Sequence, residues 1–173
     1  KAFVFHFGKA APLLGLFAGI TTLFGTLLIS SCYGHLPVGL RLPFISLNGV
    51  QNPEYILYSI GFSTTGLCIF SSAYFARSNF FPNVENSLQG YARASFWSAT
   101  IAGLGLVLQA VVPLQSDILH VIDGTTSLRM QSVVHQTGAL VLFLAGYVHC
   151  VSTDILLWKS KTLPNNVKSR WCK

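Results

Sequence analysis

The fold of this chain is decided by the segment Leu42-Pro-Phe-Ile-Ser-Leu-Asn-Gly-Val-Gln-Asn-Pro-Glu54, which separates two apolar runs long enough to cross a bilayer. Two prolines, a glycine and a carboxylate cannot continue a membrane helix, because backbone polar groups in lipid must be satisfied within the helix. The segment is therefore predicted to be a loop held at the membrane face. Its patterned ends, Pro-Phe-Ile-Ser and Pro-Glu, favour a role in packing or recognition.

Four apolar runs flank and follow this loop, at about residues 10–33, 55–75, 94–113 and 132–158, and each contains the roughly 20 residues needed to span the hydrocarbon core. Of the 173 residues, 51% are hydrophobic and 9% are charged, whereas soluble domains have roughly 25% charged residues. The short connections leave no room for a soluble domain. We therefore predict an all-α integral membrane protein, with residues 1–173 forming one bundle of four transmembrane helices.

The basic residues sort by membrane side when the four runs are threaded in order. One side receives Lys1, Lys9, Arg77, Arg93, Lys159, Lys161, Lys168, Arg170 and Lys173, and the other receives Arg41 and Arg129. This positive-inside asymmetry predicts that both ends of the chain are cytosolic and that the 42–54 loop faces the lumen or the exterior. The net charge of +6 thus indicates contact with anionic lipid rather than with nucleic acid.

Small residues recur at helical spacing in each run. They are Ala11, Gly15 and Gly19 in the first, Gly61 and Thr65 in the second, Ala99 and Gly103 in the third, and Gly138 and Gly146 in the fourth. Such faces let neighbouring backbones approach closely, either within the bundle or against other membrane proteins. Pro12 is predicted in the first helical turn, where a missing N–H costs little.

Catalytic and cofactor motifs are absent from the sequence: there is no Ser-His-Asp spacing, HExxH or glycine-rich phosphate loop. The cysteines lack metal-type spacing, and no metal or cofactor is predicted. One alternative is a single haem between His35 and His135, since other histidine pairs do not match in level. No enzyme is predicted.

Two further polar residues are candidates for a role. Asp154 lies inside the fourth run near its cytosolic end, where an ion pair with Arg77 or Arg93 is the expected arrangement and a proton or ion site is the alternative. Cys172 follows Trp171 in the basic tail and is a candidate for palmitoylation, the alternative being an unmodified thiol.

His135 begins the stretch His135-Gln-Thr-Gly138-Ala139 at the exterior mouth of the fourth helix. A buried imidazole at that level requires a partner. Glu54, at the exterior start of the second helix, lies at the same predicted depth. We therefore expect a hydrogen bond between His135 and Glu54 that fixes the loop against the fourth helix.

The order of these features resembles the damage-regulated autophagy modulator (DRAM) family of membrane proteins. The resemblance rests on Pro43-Phe-Ile-Ser46, Gly49, Pro53-Glu54, an arginine-bounded second helix, a glycine-rich third helix and His135-x-x-Gly138-Ala139, over about residues 34–160. It marks Pro43, Phe44, Ser46, Gly49, Pro53, Glu54, His135 and Gly138 as candidate structural or recognition residues. The family pattern has Asp-Thr-Gly where this chain has Leu47-Asn48-Gly49, so a carboxylate is missing from the loop.

The resemblance implies six helices in an endomembrane, lysosomal or plasma membrane, so that either these four are the first of six or the chain is a shortened relative. It also implies a non-enzymatic regulatory or scaffolding role in autophagy or lipid organisation, with membrane lipids and other membrane proteins as partners. Two alternatives remain open. The chain is either an accessory subunit of a larger membrane complex, or a component of lipid or GPI-anchor remodelling that uses His135 and a nearby carboxylate as acid and base.

Overall fold

The computed structural model describes residues 2–36, 45–115 and 129–160, which form four long α-helices and three short 3₁₀ turns. The helices are α1 (Ala2–Tyr33), α2 (Glu54–Asn79), α3 (Gln89–Val111) and α4 (Met130–Lys159). The turns are Ile45–Gly49, Phe81–Asn83 and Asn86–Leu88. Within these ranges, all four helices are long and apolar enough to cross a membrane. The predicted all-α membrane fold is confirmed.

The helix ends differ from the predicted ends because apolar runs mark only the part of a helix that hydrocarbon covers. α1 already begins at Ala2 and α2 continues to Asn79. Pro12 therefore lies inside α1 rather than in its first turn, a position that membrane helices tolerate. α3 ends earlier than predicted, at Val111, since the following Val112 precedes Pro113 and a proline disfavours helical geometry in the residue before it.

Helix packing follows chain order, α1 on α2, α2 on α3 and α3 on α4, while α1 and α4 make no extended contact among the described residues. The short connections make neighbours antiparallel. One end of the bundle contains the ends of α1 and α3 and the starts of α2 and α4. We call it the Glu54 end. At the opposite end, the Arg77 end, lie four of the five described Lys and Arg residues, Lys9, Arg77, Arg93 and Lys159, whereas Arg129 lies at the Glu54 end.

Two glycine pairs bring the helix backbones into close contact. A Cβ built on Gly66 of α2 would lie 2.7 Å from the carbonyl oxygen of Gly103 in α3, and one on Gly105 would lie 2.9 Å from that of Gly138 in α4. The predicted close packing is confirmed at Gly103 and Gly138. At Gly146 close packing within the bundle is not found, because a built Cβ meets nothing within 4 Å, and packing against another protein there stays a prediction.

Candidate functional site

Glu54, the first residue of α2, is fully buried at 0% exposure. Its Oε1 accepts a hydrogen bond from Ser30 Oγ at 3.0 Å and lies 2.5 Å from Nδ1 of His35. Ser30 Oγ also lies 3.3 Å from the backbone oxygen of Asn48. We call Ser30, His35, Asn48 and Glu54 the Glu54 cluster. It ties the end of α1 and the 3₁₀ turn to the start of α2.

The expected bond between Glu54 and His135 is wrong, because His35 takes that place. Gly34 has a φ of +70°, a left-handed conformation that glycine adopts readily, and it reverses the chain so that His35 returns to α2. Nδ1 of His135 instead donates to the carbonyl oxygen of Val112 at 2.7 Å. The two histidines considered for haem thus each use Nδ1 for an acceptor within the protein.

The other candidate residues of the loop pack against Tyr58 of α2. The Ser46 side chain lies near the Tyr58 hydroxyl, and a Cβ on Gly49 would lie 2.5 Å from Tyr58 Cγ. The Tyr58 ring in turn lies 6.4 Å, centroid to centroid, from that of His135. Pro53 is exposed at the N-cap of α2. The arrangement holds the turn onto α2, while Pro43 and Phe44 lie outside the described residues.

Asp154 does not form the expected ion pair with Arg77 or Arg93. The side chain is exposed, since the bundle-facing positions of this part of α4 are Ser152 and Leu156, and Asp154 lies about 200° around the helix from Ser152. Arg77 instead stacks over the ring of Phe96, at 4.6 Å. Cys172 lies outside the described residues.

A lateral groove of about 800 Å³ opens between α1 and α4. It exists because α4 does not pack along α1, so the faces of α2 and α3 between them stay uncovered. Apolar side chains from all four helices line it, among them Leu16, Ile20, Phe62, Ile69, Ala99 and Leu142. Its volume falls within the roughly 300–1,000 Å³ typical of ligand pockets.

The sequence reasoning missed both the groove and the partners of Glu54. A groove forms where two helices are not in contact. Apolar periodicity does not determine which helices are in contact. His35 was recognisable in principle, because it and Glu54 bracket the same loop and a buried carboxylate needs a partner.

Four antiparallel helices long and apolar enough to cross a membrane, a buried carboxylate cluster at one end and an apolar groove define a polytopic membrane protein. The chain belongs to the family described as Frag1/DRAM/Sfk1/Cwh43P, whose N-terminal domain model matches residues 7–173. The predicted DRAM relationship is confirmed. Comparisons with curated proteins and with solved structures found no match.

Proposed function

We propose that this chain is a non-enzymatic regulatory or scaffolding protein of the membrane, which organises lipid by holding it in the lateral groove. The groove between α1 and α4 carries the proposal. Its walls are apolar and it opens sideways, so in a bilayer hydrocarbon enters it rather than water. The sorting of cations to the Arg77 end supports a cytosolic location for that end.

The accessory-subunit alternative has its own supporting observation. In the most apolar stretch of α4, only 11% of the residues are buried. In the most apolar stretch of α3, 56% of the residues are buried. A helix of another membrane protein packed over Gly146 would occupy the groove in place of lipid. The remodelling alternative has less support, because the carboxylate expected to act with His135 is paired with His35.

Blocking the groove with Gly146→Leu tests the proposal. The added side chain enters space that no described atom occupies within 4 Å of the built Cβ. We expect lipid that co-purifies with the protein, counted by native mass spectrometry, to fall about tenfold, since overfilling a site costs about 1–3 kcal/mol.

Gly90→Leu is the matched control, because Gly90 in α3 is equally open but does not line the groove. It should retain the wild-type complement of lipid. Equal lipid binding by wild type and Gly146→Leu would contradict the proposal. Loss of a co-purifying protein instead of lipid would favour the accessory-subunit alternative.

A further inference from the structure

One polar cluster interrupts the apolar lining of the groove. It consists of Ser95 of α3 with His149 and Thr153 of α4, and we call it the His149 cluster. His149 Nδ1 lies 2.9 Å from the Ser95 carbonyl oxygen and 3.1 Å from Ser95 Oγ. Ser95 Oγ lies 2.8 Å from Thr153 Oγ1. All three residues line the groove, and Ser95 itself is 1% exposed.

These contacts fix the role of each ring nitrogen in the neutral imidazole. A carbonyl oxygen only accepts hydrogen bonds, so Nδ1 of His149 carries the proton and donates to Ser95. Nε2 is then an acceptor, and it makes no hydrogen bond within the described part of the chain. An acceptor without a partner in an apolar groove is costly. The site therefore favours a ligand that brings one hydrogen-bond donor.

The cluster lies at a depth where lipid hydroxyl groups occur. His149 is about 15 Å along α4 from Lys159, and Ser95 is about 9 Å along α3 from Gln89. A bilayer is about 40–45 Å thick around a core of about 30 Å, so each interfacial layer is roughly 6 Å. Taking the helix ends as the outer edge of the interface, the cluster is roughly 3–9 Å inside the hydrocarbon core at the Arg77 end.

We infer that the groove binds a sterol, with the sterol hydroxyl donating to Nε2 of His149 and the ring system filling the apolar space. The inference rests on the proposed function and names its ligand class. A sterol has one donor and an otherwise apolar body, which matches one acceptor in an apolar lining.

Lipids with ester groups fit this lining less well. Thr65 and Ser72, which also line the groove, already donate to the carbonyl oxygens of Gly61 at 2.9 Å and Cys68 at 2.7 Å. Ester carbonyls of a diacylglycerol or a phospholipid would find no donor at Thr65 or Ser72. The Ser95–Thr153 contact uses one of its two hydroxyl hydrogens, so the cluster can serve one acceptor at most, and further unpaired acceptors cost free energy.

Photolabelling in nanodiscs of palmitoyl-oleoyl phosphatidylcholine tests the inference. The probe is a photoactivatable cholesterol, displaced by unlabelled cholesterol or by cholesterol methyl ether, which lacks the donor. Cholesterol should displace the probe from the wild type about tenfold more effectively than the ether does, as one buried hydrogen bond predicts. His149→Phe should lose this preference, and His149→Gln, which keeps an acceptor, should recover part of it.

Tyr147→Phe is the matched control, because Tyr147 is 72% exposed on α4 and does not line the groove; its preference should equal that of wild type. Thermal unfolding of each variant shows whether the loss of the Nδ1 hydrogen bond lowers the stability of the protein. A variant that keeps the wild-type unfolding temperature but loses the preference for cholesterol has lost ligand recognition alone. A preference for cholesterol that survives in His149→Phe overturns the inference. Absence of specific labelling also overturns the inference. In that case the proposed function still stands if Gly146→Leu lowers phospholipid binding.

Discussion

His35→Ala is expected to lower the free energy of unfolding by about 3 kcal/mol. The substitution leaves the carboxylate of Glu54, which is fully buried, with Ser30 as its remaining side-chain partner. Breaking a buried pair costs about 3–5 kcal/mol because the remaining charge stays desolvated, and we expect the lower end because the His35 side chain is 25% exposed. Equilibrium unfolding in mixed micelles with increasing dodecyl sulfate measures the change.

The double variant His35→Ala/Glu54→Gln provides the internal check. A neutral amide is cheaper to bury than a lone carboxylate, so the second substitution should recover part of the stability lost in the first. Gln51→Ala, at an exposed position of the same connection, should stay within about 0.5 kcal/mol of wild type. If His35→Ala is as stable as Gln51→Ala, the Glu54 cluster does not hold α1 to α2.

Gly66→Leu is expected to destabilise the bundle by about 3 kcal/mol or more, at the upper end of the overpacking range. A Cβ at this position would lie 2.7 Å from the carbonyl oxygen of Gly103. That atom belongs to the backbone of α3 and cannot move aside as a side chain does. The two helices must therefore separate where they cross, which also removes contacts on both sides of the crossing.

Gly90→Leu again serves as the comparison, because it makes the same chemical change at an open position. Replacing glycine raises helix propensity more at Gly66, in the interior of α2, than at Gly90, in the first turn of α3, so this effect works against the predicted loss of stability and cannot produce it. Both are measured by the same micelle unfolding. Equal stability of Gly66→Leu and Gly90→Leu would mean that α2 and α3 do not cross at these glycines.

The sequence was sufficient for the number and order of the long helices in the described ranges, because a helix that crosses the hydrocarbon core needs an apolar run of matching length. Proline and glycine predicted the position of the 42–54 connection, because these residues do not continue a membrane helix. Helix ends were less predictable. α2 continues to Asn79 because polar residues end the membrane-embedded part without ending the helix.

Side-chain partners were predicted less well than helices. Membrane depth alone placed Glu54 level with His135. Depth does not determine which side chain lies beside Glu54, because a reversal of the chain after α1 can bring a residue of the connection back to α2. The positive φ of Gly34 supplies that information, and His35 becomes the partner. Sequence spacing identified no partner for His149, because that partner, Ser95, is contributed by another helix.

The central claim is that lipid fills the groove between α1 and α4. A bimane fluorophore on Gly146→Cys, in a chain with Cys32, Cys68, Cys150 and Cys172 replaced by serine or alanine, tests it directly in bilayers of dibrominated phosphatidylcholine. Brominated acyl chains quench a fluorophore that they touch. The account predicts quenching as strong as at Leu144→Cys, a position on the exposed face of α4. A fluorophore at position 146 that is shielded from quenching, while position 144 is quenched, would show that protein occupies the groove and would contradict the account.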